Sequence, residues 1–232
     1  MVVMLSLNDR RVRLSPCGSQ LRIDTSPSPL PIEVTITGKL PEGAGRFFVD
    51  NALKNQAKHP TFIDEYNEPS AVIGRTTFEH SDPTSVYTFA VDKRDLVFHR
   101  HEGHRIITGI TGGKGCCLRF SLCSADDARS HPEKFLESLY IVQIPGDRQF
   151  VLRFQGSVYH QFCPADYSEN GFFAVSVHSN ESWGLTGEVL KQVLANDANI
   201  ALLTDPAPPA ALRLTENKDA LNKAVLINLD IE

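Results

Sequence analysis

Three of the eight histidines fall within six positions of the stretch LVFHRHEGHR, residues 96–105. His99 and His101 are separated by one residue, and alternate side chains of a β-strand point to the same face. Their backbones then lie roughly 6–7 Å apart, so both imidazoles can bind one divalent ion of zinc, iron, nickel, copper or manganese. His104 follows Gly103, a predicted bend, which leaves its direction open. The spacing favours a metal site on this strand, and a hydrated polar surface is the alternative.

Short β-strands are the elements that must position these histidines. Between about residues 70 and 180, apolar runs recur roughly every ten residues and alternate with turn signals such as SDPT, TGG, PGD and SENG. Strands at this spacing are typical of an antiparallel sandwich or barrel. Helical patterns occur at 45–60, 124–139 and 186–196, and AVLINLDIE predicts a last strand.

The pattern predicts one domain over residues 1–232. Its β-rich core covers about residues 70–180, and residues 1–45 form an arm of outer strands with proline-rich links. A C-terminal helix and strand lie within 183–232. With 41% apolar residues, a chain of this length forms a core without disulfides or metal.

Charge, hydropathy and cysteine usage exclude several function classes. The net charge of −5 argues against a general binder of nucleic acid or of anionic membranes. No run of 18 apolar residues is present, which excludes a membrane-spanning helix. The five cysteines include no Cys-x-x-Cys pair, so a cysteine zinc site is disfavoured and reduced thiols in a cytoplasmic protein are predicted.

The histidine pair resembles the first motif of the cupin superfamily, which reads His-x-His, three or four residues, Glu, six residues, Gly. Here His99-x-His101 is followed after three residues by Arg105 and after six more by Gly112. The histidines and the glycine match in register. Arg105 stands in the place of the glutamate ligand, and Lys93 stands in the place of the leading glycine of the motif.

A second, looser resemblance lies in PGDRQFVLRFQGSVYHQF, residues 145–162. The second cupin motif carries a third histidine after a turn rich in glycine and proline, and His160 occupies a similar place. The proline and asparagine of that motif are absent. The resemblance implies an all-β, mainly antiparallel fold, namely a jelly-roll barrel (double-stranded β-helix) with a few peripheral helices.

A metal site is also implied by the resemblance, with His99, His101 and His160 as ligands. The expected ion is a divalent transition metal, with iron first and zinc, nickel or manganese as alternatives. Glu102 and His104 are the candidates to replace the missing glutamate. His178, at the end of another predicted strand, is a candidate for orienting a ligand imidazole.

The functional expectation is a small-molecule enzyme such as an iron-dependent dioxygenase. Its substrate would be a modest organic acid or phenolic compound, and Arg105 is predicted to clamp a substrate carboxylate with its planar donors. A homodimer joined by outer strands fits the family habit. The alternative is a non-catalytic binding or regulatory cupin without a productive metal. A 2-oxoglutarate oxygenase ranks lower because that class requires His-x-Asp/Glu, whereas this chain has His99-x-His101.

Overall fold

The computed structural model describes residues 2–5, 11–13, 20–26, 30–65, 68–77, 84–94, 97–179, 185–195, 204–216 and 220–229. Residues 183 and 184, where the predicted C-terminal segment starts, and residues 230–232, which end the predicted last strand, lie outside this part. The strands, in chain order, are β1 (Val2–Leu5), β2 (Arg11–Arg13), β3 (Gln20–Ile23), β4 (Ile32–Lys39), β5 (Phe62–Glu65), β6 (Glu68–Gly74), β7 (Ser85–Val91), β8 (His99–Arg100), β9 (His104–Thr111), β10 (Cys116–Ser121), β11 (Leu139–Ile144), β12 (Arg148–Gln155), β13 (Tyr159–Pro164), β14 (Phe172–Ser179), β15 (Asp205–Pro206) and β16 (Val225–Asn228).

Eight consecutive strands, β7 to β14, form two sheets with the connectivity of a jelly roll. One sheet contains the order β12-β9-β14-β7 and the other contains β8-β13-β10-β11. All neighbours within these two sets are antiparallel. This order is that of an eight-stranded jelly roll built from two Greek keys. The predicted all-β, mainly antiparallel jelly roll is therefore confirmed.

The remaining strands widen both sheets. β4 pairs with β12 and carries β3 and β1 beyond it, while β6 and β5 extend the opposite edge next to β7. On the second sheet, β15 adds to β8, and β16 and β2 add to β11. β16 therefore lies between β11 and β2, and β1 and β2 form outer edges of the two sheets.

Aromatic rings fill the space between the sheets. Alternation along β12 sends Phe150, Leu152 and Phe154 inward, and all three are fully buried. Phe154 meets Phe120 of the opposite sheet edge-on, with ring centroids 5.4 Å apart, and Phe162 also packs on it. Such contacts fill much of the interior among the described residues, and the histidines lie towards one end of it, beside Phe154.

Helices form where the patterns at 45–60, 124–139 and 186–196 predict them, and a further helix forms at Pro209–Thr215, where no helix was predicted. They are α1 (Ala44–Gln56), α2 (Ala125–Ser130), α3 (Glu133–Glu137), α4 (Gly187–Ala195) and α5 (Pro209–Thr215), with a 3₁₀ turn at Ala220–Lys223. The single helix predicted over 124–139 is two helices, because His131 leaves the helical region before Pro132, as a residue preceding proline tends to do. None of the described helices is both long and apolar enough to cross a membrane.

Gly112, the last residue of the cupin-like motif, is required for close packing of two turns. Its N–H donates to the carbonyl of Gly171 over 2.7 Å. A Cβ at this position would lie 2.3 Å from the backbone oxygen of Asn170, a clash that no side-chain rotation relieves. The glycine of the motif therefore serves the fold and not the coordination of a metal.

Gly112→Ala is expected to lower the free energy of unfolding by about 2–3 kcal/mol, because the two turns must separate. Urea denaturation monitored by circular dichroism measures the change. Gly38→Ala is the control, since a Cβ there meets only Gln149 at an ordinary 3.6 Å. Equal stability of the two variants would contradict this account of Gly112.

Candidate metal centre

Two neighbouring strands bring the predicted histidine ligands together. His99 on β8 and His160 on β13 are direct register partners, so their side chains leave the sheet on the same side. His101 follows β8 immediately, and its backbone N–H donates to the carbonyl of Gly156 over 2.9 Å. That bond anchors the chain after β8 to the turn before β13, which keeps the third imidazole beside the other two.

The three imidazoles form one compact group. A nitrogen of each lies within 4.8 Å of a nitrogen of the others. The ring centroids of His99 and His101 are 4.7 Å apart, those of His99 and His160 are 4.6 Å apart, and those of His101 and His160 are 5.2 Å apart. His99 and His160 are buried, and His101 is partly exposed. The group is small enough for one ion to contact all three rings.

The Nδ1 atoms of these rings are held by protein oxygens. Nδ1 of His99 lies 3.2 Å from the carbonyl oxygen of Val97, and Nδ1 of His160 lies 2.8 Å from that of Val158. A carbonyl only accepts, so in both rings Nδ1 carries the hydrogen and Nε2 keeps its lone pair. Nδ1 of His101 is 3.2 Å from Oγ1 of Thr204. Metal-binding histidines usually have their second nitrogen fixed in this way.

The surroundings keep two of the rings in the neutral form that binds metals. Loss of water is the main reason that the pKa of His101 and the pKa of His160 lie well below the usual histidine value. The positive charge of Arg105 and the neighbouring imidazoles lower both pKa values further. Both rings are neutral at pH 7, so no proton has to leave before an ion binds.

Arg105 is buried on the inner face of β9, close to the imidazoles. Burial lowers the pKa of its guanidinium to about 9, against the opposing effects of Tyr87 and Glu68, so the side chain stays positively charged at neutral pH. Nη1 donates to the carbonyl oxygens of Glu102 and His104 over 3.3 and 3.4 Å. A fixed positive charge thus lies beside the histidine group.

His178 forms another part of the same polar interior. It is the register partner of Arg105 on β14, and its ring stacks on Tyr87 with centroids 4.6 Å apart. Burial, followed by the charge of Arg105, lowers the pKa of His178 well below its usual value. The sequence suggested that His178 orients a ligand imidazole. The structure places its side chain against the ring of Tyr87 and next to Arg105.

The two residues considered as replacements for the missing glutamate lie elsewhere. Glu102 is exposed to solvent. His104 is adjacent to Arg105 on β9, so strand alternation directs it to the opposite face, and it is not among the grouped histidines. The sequence pattern does not point to Glu68. Its Oε2 lies 3.8 Å from Nε2 of His99. Glu68 opens a strand far from the motif, and no local spacing marks it.

Acidification is expected to destabilise the metal-free protein. His101, His160 and His178 have lowered pKa values in the folded state, so below pH 6.5 the unfolded chain binds more protons than the folded one. The free energy of unfolding then falls by about 1.4 kcal/mol per pH unit for each such histidine as the pH drops from 6.5 towards the folded pKa values.

Urea titrations with chelator at several pH values between 7 and 5 measure this loss. His178→Phe keeps an aromatic ring against Tyr87. The slope of the free energy of unfolding against pH should then lose the contribution of one histidine. A slope identical to that of the unmodified protein would show that His178 takes up its proton equally well in both states.

Comparison with known proteins supplements this geometry. The chain matches no protein-family model and no curated protein. Among solved structures it is similar to hydroxypropylphosphonic acid epoxidase from S. wedmorenis in complex with fosfomycin, with a TM-score of 0.36 and 11% identity, covering 50% of this chain and 53% of that chain.

Solved cupins are also among the similar structures. A cupin-like protein from Thermotoga maritima has a TM-score of 0.31 and 16% identity, covering 59% of this chain and 86% of that chain. A cupin 2 conserved barrel domain protein from Rhodopseudomonas palustris has a TM-score of 0.31 and 14% identity, covering 62% of this chain and 81% of that chain. The chain spans about half the length of the epoxidase.

Proposed function

We propose that this chain is a cupin-type metalloprotein that binds one divalent transition metal through His99, His101 and His160. The observation that carries the proposal is that the two nitrogens of a ring have different surroundings. Carbonyl oxygens accept from Nδ1 of His99 and His160, which leaves Nε2 of these two rings as the ligand atom, and a hydroxyl contacts Nδ1 of His101. One ring nitrogen of each histidine lies within 4.8 Å of those of the other two. Surface histidines that merely meet water have no need of such fixed tautomers.

The donor set fits a transition metal. Three imidazoles suit iron, zinc, nickel or manganese, and iron is the ion that we place first. When bound, an ion held by three protein ligands retains open positions for Lewis-acid chemistry or, in the case of iron, for dioxygen chemistry. Two aromatic rings form an apolar side to the site, since the ring of Phe154 lies 4.7 Å from that of His160 and the ring of Phe162 lies 5.6 Å from it.

An organic anion is the substrate class that the interior favours. The buried guanidinium of Arg105 offers planar donors that match a carboxylate. Ser176 lies on the inner face of β14, two residues before His178, and is almost fully buried. A small acid whose carboxylate meets Arg105 would place the rest of its carbon skeleton beside the histidines. We infer an oxidoreductase, with dioxygenase as the reaction class.

A binding protein without a productive metal is the second candidate. The observation that favours it is Arg105 itself, since a cation takes the place where the motif has a carboxylate. A positive charge beside a divalent ion weakens the binding of that ion. On this reading the interior would bind a small anion directly, with the histidines as neutral hydrogen-bonding groups.

Metal analysis of protein purified without a histidine tag separates the two candidates. The metalloprotein should carry about one transition-metal ion per chain after incubation with Fe²⁺, Mn²⁺, Zn²⁺ or Ni²⁺ and gel filtration. It should also melt at a lower temperature after treatment with a chelator, since a ligand that binds only the folded state stabilises it. A chain that holds no ion and melts identically with and without chelator supports the anion-binding protein.

A further inference from the structure

The polar interior has one acidic side chain that the cupin-like motif does not account for. Oε2 of Glu68 is 3.8 Å from Nε2 of His99, the nitrogen that keeps its lone pair. Within the described residues, the other ion pair between a histidine and an acid joins His131 to Asp127, on the exposed α2 side of the molecule. Glu68 thus lies beside His99, at the edge of the three-histidine group.

The position of Glu68 follows from the way β6 joins the sheet. β6 pairs with β7, with Val72 opposite Tyr87. Glu68, Ser70 and Val72 share one face by alternation, and Val72 packs with Tyr87 in an apolar cluster, so this face looks into the interior. The side chain of Glu68 is 23% exposed, which places the carboxylate where the interior opens to solvent.

We propose that Glu68 is a fourth metal ligand, supplied by a strand outside the jelly roll. This inference rests on the proposed function. The eight jelly-roll strands and the residue that follows β8 then provide only nitrogen donors, and the added β5–β6 pair provides the oxygen donor. Arg105 keeps the position of the glutamate in the motif, while Glu68 on β6 would supply the carboxylate beside His99.

Charge is the physical reason for a carboxylate at this place. A divalent ion, the guanidinium of Arg105 and three neutral imidazoles give three positive charges in a buried volume, which is costly when no anion offsets them. Glu68 lies close enough to Arg105 for their opposite charges to interact. A carboxylate ligand lowers the total by one charge and adds the oxygen donor that manganese and iron accept alongside imidazole.

Competition for Mn²⁺ and Zn²⁺ between a chelating dye and tag-free protein tests the role of Glu68. Glu68→Gln keeps the size of the side chain and removes the charge, so we expect the metal affinity to fall at least about 10-fold. Glu102→Gln, an exposed neighbour of the motif, is the control and should bind as the unmodified protein does. The absorption spectrum of the Co²⁺-loaded protein should change in the first variant and not in the second.

The outcomes separate this inference from the proposed function. Unchanged affinity and an unchanged Co²⁺ spectrum in Glu68→Gln overturn the role of Glu68 and leave the three-histidine site intact. An unmodified protein that binds neither ion overturns both. Thermal melts of the metal-free variants check folding. If glutamine disturbs it, Glu68→Asp, which keeps the charge and withdraws it by one methylene, should show the same direction of change in affinity and spectrum.

Discussion

His160→Ala is expected to abolish stoichiometric metal binding while the β-sandwich stays folded. His160 is the one proposed histidine ligand that comes from β13, and its ring lies 4.6 Å from that of His99 and 5.2 Å from that of His101. Its removal leaves two imidazoles that come from one chain segment. Loss of a residue that only supports a ligand already costs about 10–100-fold in metal affinity, so loss of the ligand itself should exceed 100-fold.

The stability of the metal-free His160→Ala variant should fall only moderately. The substitution leaves the carbonyl of Val158 without its donor and opens space beside Phe154, which together cost about 2–4 kcal/mol. Elemental analysis and chelator-dependent melting measure the first effect, and urea denaturation measures the second. His131→Ala, at an exposed helix end, is the matched control and should retain the metal. A His160→Ala protein that still carries one ion per chain would refute the three-histidine site.

The jelly roll could be predicted from the sequence because the side-chain pattern within a strand indicates its inner and outer faces. In β12, the alternation of Phe150, Leu152 and Phe154 with more polar residues marks the inner face without reference to other strands. The motif predicted His99 and His101 as a pair for the same reason. Two residues apart on an extended chain, they share a face whatever the rest of the molecule does.

Contacts between distant segments could not be predicted in the same way. The register that sets His160 opposite His99 depends on how β13 pairs with β8, and single-sequence patterns leave register open. Glu68 reaches His99 only because β6 adds to the sheet edge beside β7. The oxygen that Thr204 offers to His101 comes from the far end of the chain. The types and spacing of the ligand residues can be recognised within short stretches of sequence. The contacts that hold those residues in place depend on the tertiary fold.

Arg105→Met is expected to raise the stability of the metal-free protein and to remove its affinity for small carboxylates. The pKa of Arg105 falls to about 9 because burial disfavours its charge, so the folded protein holds the cation at a cost. Methionine has a similar length and no charge to bury, so we expect the free energy of unfolding to rise.

Arg153→Met is the control that makes this expectation sharp. Arg153 lies on β12, is 43% exposed, and pairs with Glu33 over 2.8 Å. The same substitution there removes a partly exposed ion pair, leaves Glu33 with its second partner Arg22, and should lower the free energy of unfolding by at most about 1 kcal/mol. The two arginines should therefore respond with opposite signs in urea denaturation at pH 7.

Binding of acetate and benzoate, measured by calorimetry with and without metal, supplies the second readout. We expect Arg153→Met to bind like the unmodified protein and Arg105→Met to lose at least about 10-fold in affinity, as one charged hydrogen-bonding partner is worth 1.5–3 kcal/mol. If Arg105 were kept for stability alone, its replacement by methionine would not raise the free energy of unfolding. Carboxylate affinity that survives in Arg105→Met, or a loss of stability larger than that of Arg153→Met, would mean that the guanidinium supports the barrel and does not bind a substrate.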